Sequence, residues 1–391
     1  MEVKAGYKQT EVGVIPEGWE VKRLGTVIAI RNAKVNTFGA DVASFCVELE
    51  QVGQNSGQID GHSDARARQS VKYRFDQGDV LFGRLRPYLR KFWWADREGV
   101  CSTEIWPFIP VDGQLTSGFL FQTVQTDTFI QAANSSYGTH MPRADWSALT
   151  QFEILVPGDL AEQTAIATAL SDVDGLLGGL DRLIAKKRDL KQAAMQQLLT
   201  GQTRLPGFRG EWEVKRLGDV VQIKKGQLIT SSTLKPGDIP VIAGGKQPAY
   251  YHASANRFGR TVTISASGAS AGYVALYDEP IFASDCSTIS ESESYCLAFV
   301  FYQLLCKQQV IYKAQTGGAQ PHIHAKDLNP IPFAFPPLPE QTAIASVLTE
   351  MDAERAGLEQ RREKTRALKQ AMMQELLTGR TRLVSAESAY A

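Results

Sequence analysis

One long segment occurs twice in this chain, and the repeat constrains the fold more than any other feature. Residues Glu162–Leu205 and Glu340–Leu383 are related by a constant offset of 178, and 25 of the 44 aligned pairs are identical. Both copies begin with E-Q-T-A-I-A and contain L-L-T-G near their ends. A chain with such a repeat is expected to contain two structurally similar halves.

A shorter repeat precedes each long copy. The motif W-E-V-K-R-L-G occurs at Trp19–Gly25 and again at Trp212–Gly218, an offset of 193. The 391 residues therefore alternate between two variable blocks and two similar arms, which suits the two to three domains expected for this length. We predict a first variable domain at residues 1–159, a first arm at 160–203, a second variable domain at 204–337 and a second arm at 338–384.

The arms have the pattern of long α-helices. Apolar residues of the first arm recur at alternating spacings of four and three, which is typical of a coiled-coil seam. Arg355 and Arg362 interrupt the matching stripe of the second arm. One such helix cannot bury its stripe alone, so the arms are predicted to pair, antiparallel if the internal symmetry is twofold. The stripe residues, which are also the predicted subunit interface, are Ile166, Leu170, Val173, Leu177, Leu180, Ile184, Ile344, Leu348, Met351 and Leu358.

The variable blocks alternate short β-rich runs with turns, and each contains one helical stretch. The predicted helices are Gly118–Ala133 and Leu297–Lys313. The fold class is therefore α+β: two pseudo-symmetric mixed α/β domains separated by two long antiparallel coiled-coil helices. The predicted strands are Val42–Leu49, Asp79–Phe82, Lys91–Ala95, Phe152–Val156, Val220–Lys224, Thr261–Ser265, Tyr273–Tyr277 and Ile281–Ala283.

Charge is balanced overall but uneven along the chain. The formal net charge is zero, yet six basic residues and only Asp238 lie between residues 222 and 275. The five cysteines lack C-x-x-C spacing, which argues against a zinc site or a disulfide framework. We find neither a signal-peptide pattern nor an apolar run long enough to span a membrane, so the cytoplasm is the expected compartment.

Catalytic motifs are not evident in the sequence. Gly244-Gly245-Lys246 lacks the flanking residues of a phosphate-binding loop. The segment N-P-I-P-F at Asn329–Phe333 is similar to the N-P-P-F loop of adenine methyltransferases, but no glycine-rich cofactor loop accompanies it. A strand that closes the domain is the alternative. His322-Ile323-His324 offers two metal ligands, or a loop that contacts an anion.

Two pairs of loops carry residue types that suit DNA. Residues 83–91 interleave arginines with a tyrosine after a strand, and guanidinium groups suit phosphates and the O6/N7 edge of guanine. Residues 265–273, at the equivalent place of the second block, are small enough to approach a phosphate or base edge closely. Residues 138–143 and 318–322 form the other pair. The alternative for residues 83–91 is a solvated turn, and the alternative for residues 265–273 is a flexible loop. The candidate DNA-binding residues are Arg84, Arg86, Tyr88, Arg90, Lys91, Thr139, His140, Arg143, Lys224, Lys225, Ser265, Ser267, Gly268, Ser270, Tyr273, Gln320, His322 and His324.

Across essentially its whole length the chain resembles the specificity (S) subunit of type I restriction–modification systems. The resemblance rests on W-E-V-K-R-L-G, G-D-V-L-F-G-R-L-R-P-Y-L-R-K, I-S-A-S-G-A-S-A-G-Y-V, G-G-A-Q-P-H-I and P-L-P-E-Q-T-A-I-A as they stand in this sequence. The first copy departs from it at Pro157–Glu162, where the second copy has P-P-L-P-E. The resemblance implies two target-recognition domains, each of which reads one half of a split, asymmetric DNA sequence.

The same resemblance implies partners for this chain. Two methyltransferase (M) subunits, which carry S-adenosylmethionine, and a restriction/translocase (R) subunit would assemble on it together with double-stranded DNA. The chain itself would then have no cofactor, no metal and no catalytic residue. The competing interpretations are a stand-alone DNA methyltransferase or nuclease, and a coiled-coil adaptor that binds only protein.

Overall fold

The chain forms two compact units in the computed structural model, which describes residues 4–36, 45–65, 70–111, 113–134, 141–230, 232–318 and 320–383. The first unit combines Met1–Arg182 with Gln360–Ala391, and the second is Leu183–Glu359. The four-part division inferred from the sequence stays a prediction beside these units. Residues 42–44 of one predicted strand, and the candidate residues Thr139 and His140, lie outside the described residues.

The first unit is built from short strands and short helices, followed by a long helix. The helices are α1 (Leu24–Val27), α2 (Ser117–Thr123), α3 (Asp127–Asn134), α4 (Trp146–Leu149) and the long α5 (Leu160–Leu198), which continues into the second unit. The strands are β1 (Tyr7–Thr10), β2 (Gly13–Pro16), β3 (Trp19–Arg23), β4 (Ile28–Ile30), β5 (Lys34–Asn36), β6 (Phe45–Val47), β7 (Ser63–Asp64), β8 (Val71–Phe75), β9 (Val80–Gly83), β10 (Phe92–Trp94), β11 (Gly99–Cys101), β12 (Ile105–Pro110) and β13 (Glu153–Pro157).

Two sheets organise the first unit around an aromatic core. One has the order β10-β9-β12-β4, and the other has the order β5-β8-β11-β6-β7, in which β11 runs parallel to β6. Phe82 and Phe108 stack with ring centroids 5.8 Å apart, and Phe129 meets Phe82 edge-on at 5.2 Å. All three rings are fully buried. Their removal from water is the main force that holds the sheet against α3.

The second unit repeats this construction with fewer strands. Its helices are α6 (Leu217–Val220), α7 (Leu297–Cys306), α8 (Gln308–Lys313), α9 (Ala325–Leu328) and the long α10 (Leu338–Leu376), which continues into the first unit. The strands are β14 (Glu213–Arg216), β15 (Lys224–Lys225), β16 (Ile239–Ile242), β17 (Tyr250–His252), β18 (Thr261–Ser265), β19 (Val274–Tyr277), β20 (Phe282–Ala283), β21 (Cys286–Ser290) and β22 (Pro332–Phe335).

The strands that both units contain have the same arrangement, which confirms the predicted pseudo-symmetry. The sheet order β15-β21-β18-β19 corresponds to β4-β12-β9-β10, and β20 runs parallel to β16 as β11 does to β6. In each unit the W-E-V-K-R strand pairs antiparallel with the strand just before an arm, β3 with β13 and β14 with β22. Strand β22 contains the end of N-P-I-P-F, and Phe333 is buried. That segment therefore closes the domain, as the alternative to a methyltransferase loop predicts.

Three predicted elements differ from the structure. Gly118–Ala133 is two helices, because the Thr126 hydroxyl donates to Thr123 O and accepts from Phe129 N, which ends one helix and begins the next. Leu297–Lys313 likewise divides at Lys307 into α7 and α8. The predicted strand Val220–Lys224 is mostly wrong, since α6 ends at Val220 and strand β15 begins only at Lys224.

The arms are continuous helices that pair antiparallel within each unit, as predicted. Helices α5 and α10 have 39 residues each, about 58 Å at 1.5 Å per residue. In the first unit, Asp174 pairs with Lys369 at 2.6 Å and Asp181 with Arg362 at 3.2 Å. In the second unit, Lys191 pairs with Asp352 and Lys187 with Glu354, each at 2.6 Å.

The predicted subunit interface needs correction at the most buried stripe residues. Ile166 and Leu170 are fully buried in the first unit's core, which also contains Leu376, the last residue of α10, and Leu377, which follows it. Ile344 and Leu348 are buried in the same way in the second unit. These four side chains, and the buried Leu180, therefore have no surface left for a partner. The most buried part of each arm's stripe therefore packs in the core of a unit, and only the remaining arm surface can contact another protein. The partly buried stripe residues are Val173, Leu177, Ile184, Met351 and Leu358.

A buried glutamate joins three separate chain segments in the first unit. Glu162, 1% exposed, accepts from Trp19 Nε1 at 3.1 Å and from Arg382 Nε and Nη2 at 2.8 and 2.6 Å. These residues belong to the W-E-V-K-R-L-G motif, the start of α5 and the T-R-L that follows α10. The repeated sequence motifs thus meet in one hydrogen-bonded cluster, here called the glutamate clamp.

The second unit contains the same clamp. Glu340 is completely buried, and it accepts from Trp212 Nε1 at 3.3 Å and from Arg204 Nε and Nη2 at 2.5 and 2.6 Å. Here the arginine follows α5 and the glutamate begins α10. Each clamp therefore uses the start of one arm and the end of the other.

Candidate nucleic-acid interface

The first unit brings two of the predicted loops side by side. Residues 83–91, here called the first tip loop, connect β9 to β10, and residues 141–144, the first support loop, run along them. Arg86 N donates to Pro142 O at 2.7 Å, and Ala144 N donates to Arg84 O at 2.8 Å. Backbone bonds therefore fix the two loops together, so their side chains share one surface.

The second unit makes the same arrangement. Residues 265–273, the second tip loop, connect β18 to β19, and residues 321–324 are the second support loop. Gly268 N donates to Pro321 O at 3.0 Å, and Ile323 N donates to Ala266 O at 2.9 Å. The two pairs of candidate loops recognised in the sequence thus become one composite loop surface in each unit.

Backbone conformation shows which tip-loop residues correspond. Arg86 and Arg90 have φ angles of 53° and 52°, and Gly268 and Gly272 have 78° and 80° at the equivalent places. An L side chain in this left-handed region costs about 1–2 kcal/mol, whereas glycine adopts it freely. The first unit therefore keeps two arginines where its own backbone favours glycine, a form of strain that is concentrated at functional sites.

In the first tip loop, Arg84 packs on an aromatic ring. The guanidinium carbon of Arg84 lies 4.9 Å from the ring centroid of Trp106, which is buried. The Nε atoms of Arg84 and Arg86 are buried and have no hydrogen-bond partner among the described residues. Tyr88 is 52% exposed at the turn. Arg84, Arg86 and Tyr88 are thus the tip-loop side chains best placed for a ligand.

The other cations of this loop are bound within the first unit. Arg90 donates to Gln125 O at 3.1 Å and pairs with Asp127, while Lys91 donates to Leu49 O at 2.7 Å. These contacts hold the base of the loop, and DNA contacts by Arg90 and Lys91 stay predictions.

Arg143, on the first support loop, forms a two-pronged ion pair. Its Nε and Nη2 donate to the Glu104 carboxylate at 3.1 and 3.0 Å. The hydrogen bond to Glu104 raises the pKa of Arg143, which is partly exposed. The pair fixes the arginine's orientation at the surface that it shares with the first tip loop.

The second tip loop presents hydroxyls and an aromatic ring. Ser265 is buried and donates to Gly244 O at 2.8 Å, so its hydroxyl is used inside the unit. The Ser267 hydroxyl donates to the Asp285 carboxylate, and Lys246 Nζ lies 5.6 Å from the Tyr273 ring centroid. Gly268 and Ser270 lie at the partly exposed turn between them.

The remaining candidates of the second unit surround this loop. His322 forms a bridge with Ser267, and its ring stacks on His324 with centroids 6.2 Å apart and planes at 13°. Gln320 and His324 are exposed. Lys224 and Lys225 are exposed on β15, which pairs with β21 in the sheet that carries the tip loop. Within the described ranges, no group of three or more His, Cys, Asp or Glu residues is arranged to hold a metal ion.

Sequence reasoning missed two acidic residues that occupy the same place in the two units. Arg84 N donates to Glu104 O at 2.8 Å, and Ala266 N donates to Asp285 O at 3.1 Å. Each acid directly precedes the strand that pairs with the tip-loop strand. These acids stand in the segments C-S-T-E (Cys101–Glu104) and F-A-S-D-C (Phe282–Cys286), but their equivalence becomes visible only when the strands are in register.

The outward face of α5 carries a row of exposed leucines that the sequence pattern alone did not distinguish from the buried stripe. Leu176, Leu183 and Leu190 recur every seven residues and are 44%, 38% and 46% exposed. Their counterparts on α10, at an offset of 178, are Glu354, Arg361 and Leu368. Exposed leucines at heptad spacing are the pattern of a helix that packs on another helix.

No helix among the described residues is long and apolar enough to cross a membrane.

The chain is similar to proteins of one known family. The family described as "Type I restriction modification DNA specificity domain" matches the chain twice, over residues 16–184 and 209–367. The putative type I restriction enzyme MjaX specificity subunit of Methanocaldococcus jannaschii is 25% identical, over 96% of this chain and 97% of that protein. The MjaVIII specificity subunit of the same organism is 26% identical, over 94% of both chains.

Solved structures show the same fold. The S subunit of a type I restriction-modification system from M. genitalium has a TM-score of 0.66 at 15% identity, covering 96% of this chain and 98% of that one. A chain from a study of complex assembly and conformational transition of the type I R-M system has a TM-score of 0.59 at 21% identity, covering 94% and 99%.

Proposed function

Because the chain belongs to the family of type I restriction-modification DNA specificity subunits, we propose that it recognises a bipartite, asymmetric DNA target, one half through each unit. The observation that carries this proposal is the pair of composite loop surfaces. They share one backbone arrangement, but one presents arginines and the other presents serines and histidines. Two surfaces with the same frame and different side chains suit two different half-sites.

The arms are the proposed seat of two M subunits. The heptad leucines of α5 remain exposed after the arms have paired, so they offer an apolar face to a further helix. The M subunits would supply S-adenosylmethionine and the methyl transfer, and an R subunit would join the same complex. This chain would be the non-catalytic member of that complex.

Methylation mapping of the reconstituted complex tests the proposal. The chain is combined with its M subunits and a random-sequence plasmid library, and modified sites are mapped. We expect two short conserved half-sites separated by an unspecified spacer. Methylation without sequence preference would contradict recognition by this chain.

The competing interpretations give different results in simpler assays. A stand-alone methyltransferase or nuclease would modify or cut DNA without partners, which labelled S-adenosylmethionine and a plasmid-nicking assay detect. A protein-only adaptor would leave the DNA affinity of the M subunits unchanged in filter binding. We expect no activity from the chain alone, and sequence-specific binding by the complex that weakens steeply with salt.

A further inference from the structure

We propose that Asp285 selects a cytosine in the half-site read by the second unit, by accepting a hydrogen bond from the exocyclic N4 amino group in the major groove. The inference rests on the proposed function and adds to it the base that one side chain specifies.

Asp285 lies beside the second tip loop. Its carbonyl accepts from Ala266 N at 3.1 Å, and its side chain is half-buried. The backbone of a third segment lies close to Asp285 at Gly244. A Cβ atom added to Gly244 would lie 2.7 Å from Ser267 O and 3.5 Å from the Asp285 carboxylate. Glycine at position 244 therefore lets three segments converge on the carboxylate without a side chain between them.

The first unit has an acid at the same position with a different partner. The Glu104 carboxylate is occupied by the two-pronged pair with Arg143, so its role is to orient an arginine. The Ser267 hydroxyl donates to one oxygen of Asp285, and no cation among the described residues forms an ion pair with that carboxylate. The second oxygen of Asp285 is therefore available to accept from a ligand.

The chemistry of a carboxylate limits what it can read on DNA. It repels phosphates and only accepts hydrogen bonds, so its partners in the major groove are the amino groups of cytosine and adenine. Adenine presents the acceptor N7 next to its amino group, which would face carboxylate oxygen unfavourably. Cytosine presents N4 with no neighbouring acceptor of its own on that edge. Asp285 therefore favours cytosine.

The experiment compares methylation motifs of complexes that contain wild-type chain, Asp285→Ala or Glu291→Ala. Glu291 is an exposed acid of the same unit and serves as the matched control. We expect Asp285→Ala to relax one C·G position in one half-site, while the rest of that half and the whole other half stay unchanged. Glu291→Ala should leave the motif as it is.

A modified duplex then tests the atom involved. Replacing the selected cytosine by 2-pyrimidinone, which lacks the N4 amino group, should weaken wild-type binding by about five- to hundredfold, the range for one specific base contact. The Asp285→Ala complex should bind both duplexes equally. If Asp285→Ala fails to fold, Ser267→Ala replaces it, and we expect partial relaxation at the same position because the carboxylate loses its orienting hydroxyl.

Three results would overturn the inference: an unchanged motif, relaxation at an A·T pair, or a uniform loss at every position of that half-site, which would mean a purely structural carboxylate. These results leave the proposed function intact. A wild-type complex without sequence-specific methylation would instead count against the proposed function.

Discussion

Among the residues that the structure describes, the most deeply buried charged side chains are the glutamates of the two clamps. Glu162 receives three hydrogen bonds, and the side chain of its partner Arg382 remains 21% exposed. A carboxylate taken out of water needs such donors, because an unpaired buried charge is strongly destabilising. The clamp therefore explains why the E of E-Q, the W of W-E-V-K-R-L-G and the R of T-R-L are repeated together.

Replacing Glu162 with Ala should lower the free energy of unfolding of the first unit by about 2–3 kcal/mol. This is below the roughly 3–5 kcal/mol typical of a broken buried pair, because water still reaches Arg382. Thermal unfolding of the variant measures the loss. Glu363→Ala, which removes an exposed ion-pair partner on α10, is the control and should leave the melting temperature unchanged within error. Equal melting temperatures for wild type and Glu162→Ala would contradict the assignment.

The left-handed conformation of Arg86 permits a substitution that separates binding from stability. Arg86→Gly removes the side chain and also the backbone strain, since the second unit already has Gly268 there. We expect stability to be kept or raised by up to about 1 kcal/mol. DNA affinity of the complex should fall by about 1–3 kcal/mol if Arg86 reads a base.

Binding of a target series at several salt concentrations checks this prediction. Relaxed preference at one position would identify a base contact, and an equal loss on all sequences with a shallower salt slope would identify a phosphate contact. Unchanged affinity would remove Arg86 from the interface.

At the level of helices, the outward leucines of α5 can be tested without disturbing the domain cores. Leu183→Asp with Leu190→Asp should leave the far-ultraviolet circular dichroism and the melting temperature of the free chain nearly unchanged, because both side chains are exposed. Association with the M subunits should be lost in size-exclusion chromatography, because charges would replace the apolar contact.

Leu368→Asp is the matched control on the second arm. Leu368 is 56% exposed, and its heptad neighbours Glu354 and Arg361 are charged, so we expect a smaller effect on assembly. A complex of normal stoichiometry with the Leu183 and Leu190 variant would contradict the assignment of this face.

The sequence predicted the long helices and the paired loops well, because both depend on local pattern and on repetition. It did not predict the equivalence of Glu104 with Asp285, because no single offset aligns the halves. Gly268 follows Arg86 by 182 residues and Asp285 follows Glu104 by 181, while the arms differ by 178. It also assigned Ile166 and Leu170 to helix pairing, since periodicity reveals an apolar face but not what covers it. The left-handed arginines have no sequence signature at all.

On the scale of the whole molecule, the first unit depends on a segment distant in sequence. Leu376, Leu377 and Arg382 complete its core and its clamp, whereas every residue of the second unit lies between 183 and 359. A chain shortened by residues 360–391 should therefore keep the second unit folded and lose the first.

Hydrogen exchange of the shortened chain measures this directly. Amides of β9 and β12 should lose protection, while those of β18 and β21 keep it. Continued protection of β9 and β12 would show that the first unit does not need the second half of α10.

The crossed use of the arms has a consequence for synthesis on the ribosome. All residues of the second unit are available for folding once residue 359 has left the exit tunnel, although synthesis of this unit starts later than that of the first unit. The first unit, begun at the N-terminus, waits for the segment that carries Arg382. Its apolar core must therefore stay incomplete through most of translation, a period in which nascent chains depend on chaperones. The half that is made first is expected to be the half that finishes folding last.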